Sequence, residues 1–207
     1  MKKITSCEVC GNIKLKPVLN LGPNPLCDDL IKINSSKKNI KYPINIVYCK
    51  KCKTAHQKYQ VNKKKLFPTN YHYRASMTKD VLEGMRQLAD SSKKIIKSFK
   101  NKYVLDIGCN DGSLLKNYKK MGAKTIGVEP TDAILESKNV DYKFQNYFDK
   151  NTVKNIKKIT KKIDLITFTN VFAHIDDLDK LINNLKLLIS NDNLIIIENH
   201  YLGSILK

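Results

Sequence analysis

Four of the six cysteines stand in two short pairs, Cys7-Glu8-Val9-Cys10 and Cys49-Lys50-Lys51-Cys52. A two-residue gap puts both thiols of a pair on one backbone turn, and two such turns facing each other make a tetrahedral sulfur site of the kind that holds zinc. Four thiolates leave no coordination position open. The expected ion is therefore a structural Zn2+ bound by Cys7, Cys10, Cys49 and Cys52, with Lys50, Lys51 and Lys53 offsetting the thiolate charge. Redox work would need one exposed pair of low pKa, which two matched knuckles argue against. Cys27 and Cys109 read as buried or half-buried thiols outside this pattern.

A second group of residues lies in "VLDIGCNDGSLLK", Val104 to Lys116. Gly108 allows a sharp turn and a bare backbone approach to a ligand, and Gly112 lets a helix begin close to the preceding strand. A dinucleotide fingerprint would need glycines at 108, 110 and 113, where this chain has Gly108, Asn110 and Ser113. A pyrophosphate is thus poorly served. Asp106, ahead of the first glycine, suits a cationic ligand or one with an amino group. Glu129 ends the next apolar run, where a carboxylate can accept both hydroxyls of a ribose; a solvated acid at a strand end is the plainer reading of the same residue.

These groups need a frame, and the apolar pattern supplies one from Lys102 onward. Runs at Tyr103–Ile107, Thr125–Glu129, Asp141–Phe144, Ile163–Thr169 and Leu194–Ile197 read as strands. Helical patterns at Ser113–Met121, Asp132–Lys138, Asn151–Ile159 and Asp176–Ile189 separate them, the last with Leu178, Leu181, Ile182, Leu185, Leu188 and Ile189 facing inward. Apolar strands alternating with helices imply a parallel sheet covered on both faces, which binds ligands at the carboxyl ends of its strands. Upstream, Thr78–Phe99 reads as a joint helix with Val81, Met85, Leu88, Ile95 and Phe99 on one face, flanked by Leu82, Ala89 and Ile96. Residues 1–75 look irregular, with prolines at 17, 23, 25, 43 and 68; "NIKYPINIVYCKKC" is the one segment with a strand pattern. A region so poor in periodicity needs a staple, which the metal would be. The expected organisation is a zinc-binding and lid region over 1–75, a connecting helix over 76–100 and an α/β domain over 101–207.

The net charge is +19, yet only Arg74 and Arg86 are arginines and the lysines are spread along the chain. Base and phosphate recognition favours arginine forks, so the diffuse lysine excess argues against a nucleic-acid footprint, although anionic small molecules would still be attracted. No apolar stretch approaches the roughly 20 residues of a membrane span, and the N-terminus leads into no signal region. No membrane partner and a cytoplasmic location are expected.

An acid-x-Gly-x-x-x-Gly turn followed by an acid at the end of strand two resembles the class I S-adenosylmethionine-dependent methyltransferases, with a Rossmann-like α/β sheet. The resemblance implies that Gly108, Asn110 and Gly112 approach the methionine part of the cofactor with Asp106 close by, and that Glu129 holds the ribose. Asn146, in "FQNYF", would lie near the adenine, and Asn170, after strand four, near the methionine moiety. Both asparagines read equally well as loop caps.

The likeness extends along the chain. "CEVCG", "LGPNPLCDDL", "YPINIVYCKKC", "LFPTNYHYRASMT", "VLDIGCNDGSLL", "GVEP", "NVFAHIDDL" and "IIIENHYLGSIL" resemble, in order, the sugar C-methyltransferases that act on nucleotide-linked keto-deoxysugars. Where Cys27 stands the family usually has a small residue such as alanine. The resemblance implies proton removal beside a ketone and attack of the enolate carbon on the sulfonium methyl. His174 matches a family active-site histidine, and Tyr71 and Tyr73 resemble lid tyrosines that approach the substrate. A helix cap beside Asp176 and Asp177, and ordinary packing aromatics, are the plainer alternatives. In the family a Tyr-His-Glu-His stretch and a further domain follow the "YLG" segment, whereas this sequence runs only to Lys207. The expectation is a truncated form with an incomplete sheet and one uncovered edge, inactive alone or completed by a separately encoded C-terminal half. Transfer to oxygen or nitrogen of a small molecule, and a zinc-ribbon nucleic-acid binder, are the rival readings.

Overall fold

The first unit in the computed structural model, which describes residues 1–205, is Met1–Pro68. Three strands, β2 (Leu15–Pro25), β3 (Lys41–Cys49) and β4 (Thr54–Gln57), form an antiparallel sheet in the order β2-β3-β4. A second small pairing joins β1 (Lys2–Lys3) to β5 (Tyr59–Gln60). The irregular region expected from the sequence is thus mostly sheet. Pro17, Pro23 and Pro25 all lie in β2, an edge strand, where a missing N–H need not break a ladder. The register shifts between Pro17 and Leu19 and again between Asn20 and Gly22. The one strand legible in the sequence, β3, is central and carries Cys49 at its end. A short helix α1 (Lys63–Leu66) starts where the Asn62 side chain accepts from the Lys64 N–H at 2.9 Å.

The second unit runs from Thr69 onward, so residues 69–75 go with it rather than with the cysteine region. Its elements are α2 (Lys79–Ile96), β6 (Tyr103–Ile107), α3 (Ser113–Lys120), β7 (Lys124–Val128), β8 (Tyr142–Phe144), α4 (Lys150–Ile159), β9 (Leu165–Thr169), α5 (Leu178–Lys186), β10 (Leu194–Glu198) and α6 (Leu202–Ile205). The five strands are all parallel and ordered β10-β9-β6-β7-β8. The chain order reverses between β6 and β9, and the loops that leave their carboxyl ends flank the crevice where such sheets take ligands. Strand alternation divides the core in two. Leu105, Ile107, Ile126, Val128, Ile166 and Phe168 pack with Val153 and Ile156 of α4 and Leu181 and Leu185 of α5. Val104 and Leu165 face the other way, onto Leu114, Leu115 and Tyr118 of α3 and Ala89 of α2.

Three expectations need correction here. In α2 the buried residues are Ala89 and Ser92, the latter donating to the Ala89 carbonyl and sitting 3.2 Å from the Tyr118 hydroxyl, while Ile95 and Leu82 are exposed. The segment after Glu129 is a 3-10 helix, Asp132–Glu136, that begins where Thr131 Oγ1 accepts from Ala133 N; it is shorter than the helix expected to Lys138. In α5, Leu181 and Leu185 are buried but Ile182 is exposed; Ile189 lies beyond the end of the helix and is exposed, as are Ile195 and Ile197 of β10. Among the described residues β10 is an edge strand, paired on one side only. No helix among the described residues is long and apolar enough to cross a membrane.

Candidate functional site

In the first unit the two cysteine turns share one backbone geometry. Gly11 N donates to Cys7 O at 2.9 Å and Lys53 N to Cys49 O at 2.8 Å, with Gly11 and Lys53 both left-handed at φ 70° and 62°. The turns converge: the four Sγ atoms lie within 4.8 Å of one another, with Cys7 to Cys52 at 3.4 Å and Cys10 to Cys49 at 3.6 Å. A tetrahedral zinc with bonds of about 2.3 Å needs sulfur separations of about 3.8 Å, so the donor set fits that ion. Neighbours support the thiols. The Asn12 amide donates to Cys49 Sγ at 3.4 Å and leads the interactions that hold this thiol down to about 6. His56 Nε2 lies 3.2 Å from Cys7 Sγ and Thr54 Oγ1 3.2 Å from Cys52 Sγ. Sequence reasoning gave His56 no role; its signal was its place on the strand just past the second pair, near enough to orient a ligand. Of the remaining cysteines, Cys109 is buried as expected, but Cys27 is exposed.

In the second unit the β6–α3 turn is left-handed at every second residue: Gly108 at φ 76°, Asn110 at 50° and Gly112 at 75°. A Cβ on Gly112 would stand 2.7 Å from Val140 Cγ2 and 2.9 Å from Ser137 Cβ, so the space this glycine leaves is filled by the segment after the Asp132–Glu136 helix rather than by the preceding strand. A Cβ on Gly108 would stand 2.3 Å from Val171 Cγ2. The bare face of Gly108 is therefore covered by the loop after β9.

Two carboxylates sit beneath and beside this turn. Asp106, 1% exposed, accepts from Thr167 Oγ1 at 2.7 Å. Burial pushes its carboxyl up to about 7, against the Thr167 bond and with help from the charge of Glu129. The bond ties β6 to β9 near their carboxyl ends. Glu129, 7% exposed, accepts from Asn110 N at 3.1 Å and from Thr131 N at 2.9 Å, one bond to each oxygen. Each oxygen keeps a further lone pair for a ligand hydroxyl.

Asn110 was expected to face a ligand. Its side chain is instead taken by the segment 69–78: Nδ2 donates to Tyr73 O at 3.1 Å and Oδ1 accepts from Ala75 N at 2.9 Å. Asp111 Oδ2 accepts from Ser76 N at 2.8 Å, and Thr69 O from Asp132 N at 2.7 Å. The segment is a strap tied to the glycine turn and to the 3-10 helix beyond Glu129. It carries Tyr71 and Tyr73, whose rings lie 6.5 Å apart at 59°.

The remaining expected residues lie on the loops at the same sheet end. Asn146 is exposed, and its Oδ1 accepts from Tyr147 N at 2.8 Å, which is the loop-capping behaviour. Asn170 is left-handed at φ 55°, and its N–H donates to Glu198 O at 2.8 Å. His174 closes the 3-10 turn Phe172–His174, and loss of water around the ring lowers its pKa. The cap of α5 is Asp177, accepting from Lys180 N at 2.9 Å, so the imidazole does not serve as that cap. Tyr147 was not singled out in the sequence. Burial raises its hydroxyl pKa, and the charges of Asp176 and Glu129 add to the effect.

A family described as "Methyltransferase domain" matches residues 73–203, and one described as "Putative zinc binding domain" matches residues 7–67. The chain is 25% identical over 211 residues to the C-methyltransferase NovU of Streptomyces niveus, covering all of this chain and 50% of that protein. It is 27% identical over 101 residues to a ubiquinone biosynthesis O-methyltransferase of Coxiella burnetii, covering 44% of this chain and 41% of that one. The chain thus spans half or less of the length of these relatives. Among solved structures, the plantazolicin methyltransferase BpumL in complex with SAH superposes with a TM-score of 0.47 at 21% identity, over 59% of this chain and 48% of that one. With more than half of its residues matched, and with the parallel sheet and glycine turn such domains carry, the chain belongs to the methyltransferase domain family.

Proposed function

We propose that the second unit binds S-adenosylmethionine at the β6–α3 turn and that the protein methylates a carbon beside the ketone of a nucleotide-linked keto-deoxysugar. The observation that carries the reading is the alignment of the entire chain, cysteine knuckles included, with a C-methyltransferase. The O-methyltransferase likeness is to under half of the chain.

When bound, S-adenosylmethionine supplies an electrophilic methyl on sulfur and leaves as the neutral sulfide. The chain's own groups do the rest. The glycine turn and Glu129 hold the cofactor, the Glu129 oxygens accepting from the ribose hydroxyls. His174, held neutral by its lowered pKa, takes the proton from the carbon next to the carbonyl or steadies the oxygen of the enolate. Tyr71 and Tyr73 stand on the strap and orient the sugar. Asn146 and Asn170 border the adenine and methionine ends. The four thiolates hold a structural zinc and take no part in bond making.

The chain matches half of the C-methyltransferase relative, and a separately encoded C-terminal half is one partner with which the activity can be tried. The test is transfer of a labelled methyl group from S-adenosylmethionine to a keto-deoxysugar nucleotide, with and without a C-terminal half supplied in trans. Label on a ring carbon supports the reading. Label on oxygen or nitrogen moves it to the rival acceptor class.

A further inference from the structure

We infer that Arg74 is a positioning residue: it latches the 69–78 strap onto the rim of the cofactor turn and so sets where Tyr71 and Tyr73 stand. This rests on the proposed cofactor site. The guanidinium works at both ends. Nη1 donates to the Tyr71 carbonyl and, at 3.0 Å, to the Tyr73 carbonyl. Nε and Nη2 donate to Glu136 Oε1 at 2.9 and 2.8 Å. The two tyrosines assigned to the substrate are thus gripped by one side chain, and that side chain is anchored to the 3-10 helix that follows Glu129.

The surroundings favour this role over an incidental surface pair. Arg74 is 12% exposed in its side chain. Its pKa is raised by the bond to Glu136 first, with the charges of Glu136, Asp111 and Asp132 adding to it. The cation thus has a direct acidic partner in a chain with 38 basic and only 19 acidic residues. The residue type also matters. Of those basic residues only Arg74 and Arg86 are arginine, and a lysine ammonium cannot reach two carbonyls and a carboxylate in a fixed plane.

Asn110 links the latch to the ligand. Its N–H lies on Glu129 while its side chain holds Tyr73 O and Ala75 N, so a ribose on Glu129 and a closed strap favour the same placement of one residue. Cofactor binding and strap closure should reinforce each other, and Arg74 supplies the second fastening that makes the closed position persist.

Hydrogen exchange on the full chain, free and with S-adenosylhomocysteine, tests this. In the free protein Arg74→Ala should speed exchange at Ala75 and Ser76 by about tenfold, as the loss of a charge-assisted fastening implies, and leave the β6 and α3 amides unchanged. Glu136→Gln, a change on an exposed side chain that keeps an acceptor, should give a smaller rise of about threefold. With S-adenosylhomocysteine, strap exchange should slow in the native protein and in Arg74→Lys only in part, and the dissociation constant should rise by about tenfold in Arg74→Ala. Unchanged exchange at Ala75 and Ser76 in both Arg74→Ala and Glu136→Gln would overturn the latch. A native protein that does not bind S-adenosylhomocysteine would refute the cofactor reading instead, with the free-protein exchange still deciding the latch.

Discussion

The two units hold themselves together by different means. From Thr69 onward, two layers of apolar side chains sandwich a parallel sheet, with Leu105, Ile126, Leu165, Ile166 and Phe168 fully buried. In Met1–Pro68 the buried apolar residues among those described are Ile4, Val47, Cys7 and Cys49, and two of these four are thiols of the cluster. A sheet of two or three strands with so little buried area does not cover the entropy of ordering its chain. Two of the four cysteines of the cluster therefore make up half of the buried apolar residues described in the first unit. Where side chains can be packed in bulk, order is distributed; where they cannot, it is concentrated at one point.

That contrast gives a ranked set of ways to break it. Stripping the metal with a chelator, or Cys49→Ser, should have the largest effect, since structural zinc contributes on the order of 10 kcal/mol to small domains of this kind. Exchange protection should be lost across β2, β3 and β4 and retained in β6 and β9, and the metal content should fall to nothing. Phe168→Ala is the mirror experiment. It deletes a side chain buried against Phe172 and should destabilise the second unit by about 3–5 kcal/mol in urea melts, with zinc content unchanged.

The next effect is electrostatic and also confined to the second unit. The folded carboxyl of Asp106 titrates at about 7, against about 4 in an unfolded chain. Between those values the folded state binds more protons, so the stability this group contributes is present in full below about pH 4 and lost as pH rises to about 7. The fall should be on the order of 4 kcal/mol, and Asp106→Asn should abolish it while leaving the metal unit indifferent to the change. The smallest effect is at the edge of the packed layer. Asp149 caps α4 by accepting from Thr152 N at 2.8 Å, and Asp149→Ala should cost about 1 kcal/mol in the same melts.

What the sequence disclosed follows the same division. Local codes were legible: the cysteine spacing, the apolar runs of β6, β7 and β9, and the acid at Glu129. So was the left-handed turn, because Gly108 and Gly112 announce it. The strand β2 was not, because three prolines mask a strand unless one knows that it lies at an edge. The 3-10 form of Asp132–Glu136 was missed because an apolar pair, Ala133 and Ile134, looks the same in either helix type. The strap was invisible for a deeper reason. Its ties join Tyr73 to Asn110 and Arg74 to Glu136, and no periodicity encodes a pairing between residues so far apart. One faint signal existed, an arginine kept in a chain otherwise given over to lysine. For the same reason Asn110 was read as facing a ligand when its side chain faces the strap.

The central claim is that the turn from Gly108 to Gly112, with Glu129 beside it, is a cofactor site. Titration calorimetry with S-adenosylhomocysteine on the zinc-loaded chain addresses it most directly, comparing the native protein with Glu129→Gln. The account predicts saturable heat for the native protein and an affinity weaker by about tenfold or more in the variant, since a carboxylate accepting from a ribose hydroxyl is lost. Equal binding by the two proteins, or heat from neither, would contradict it.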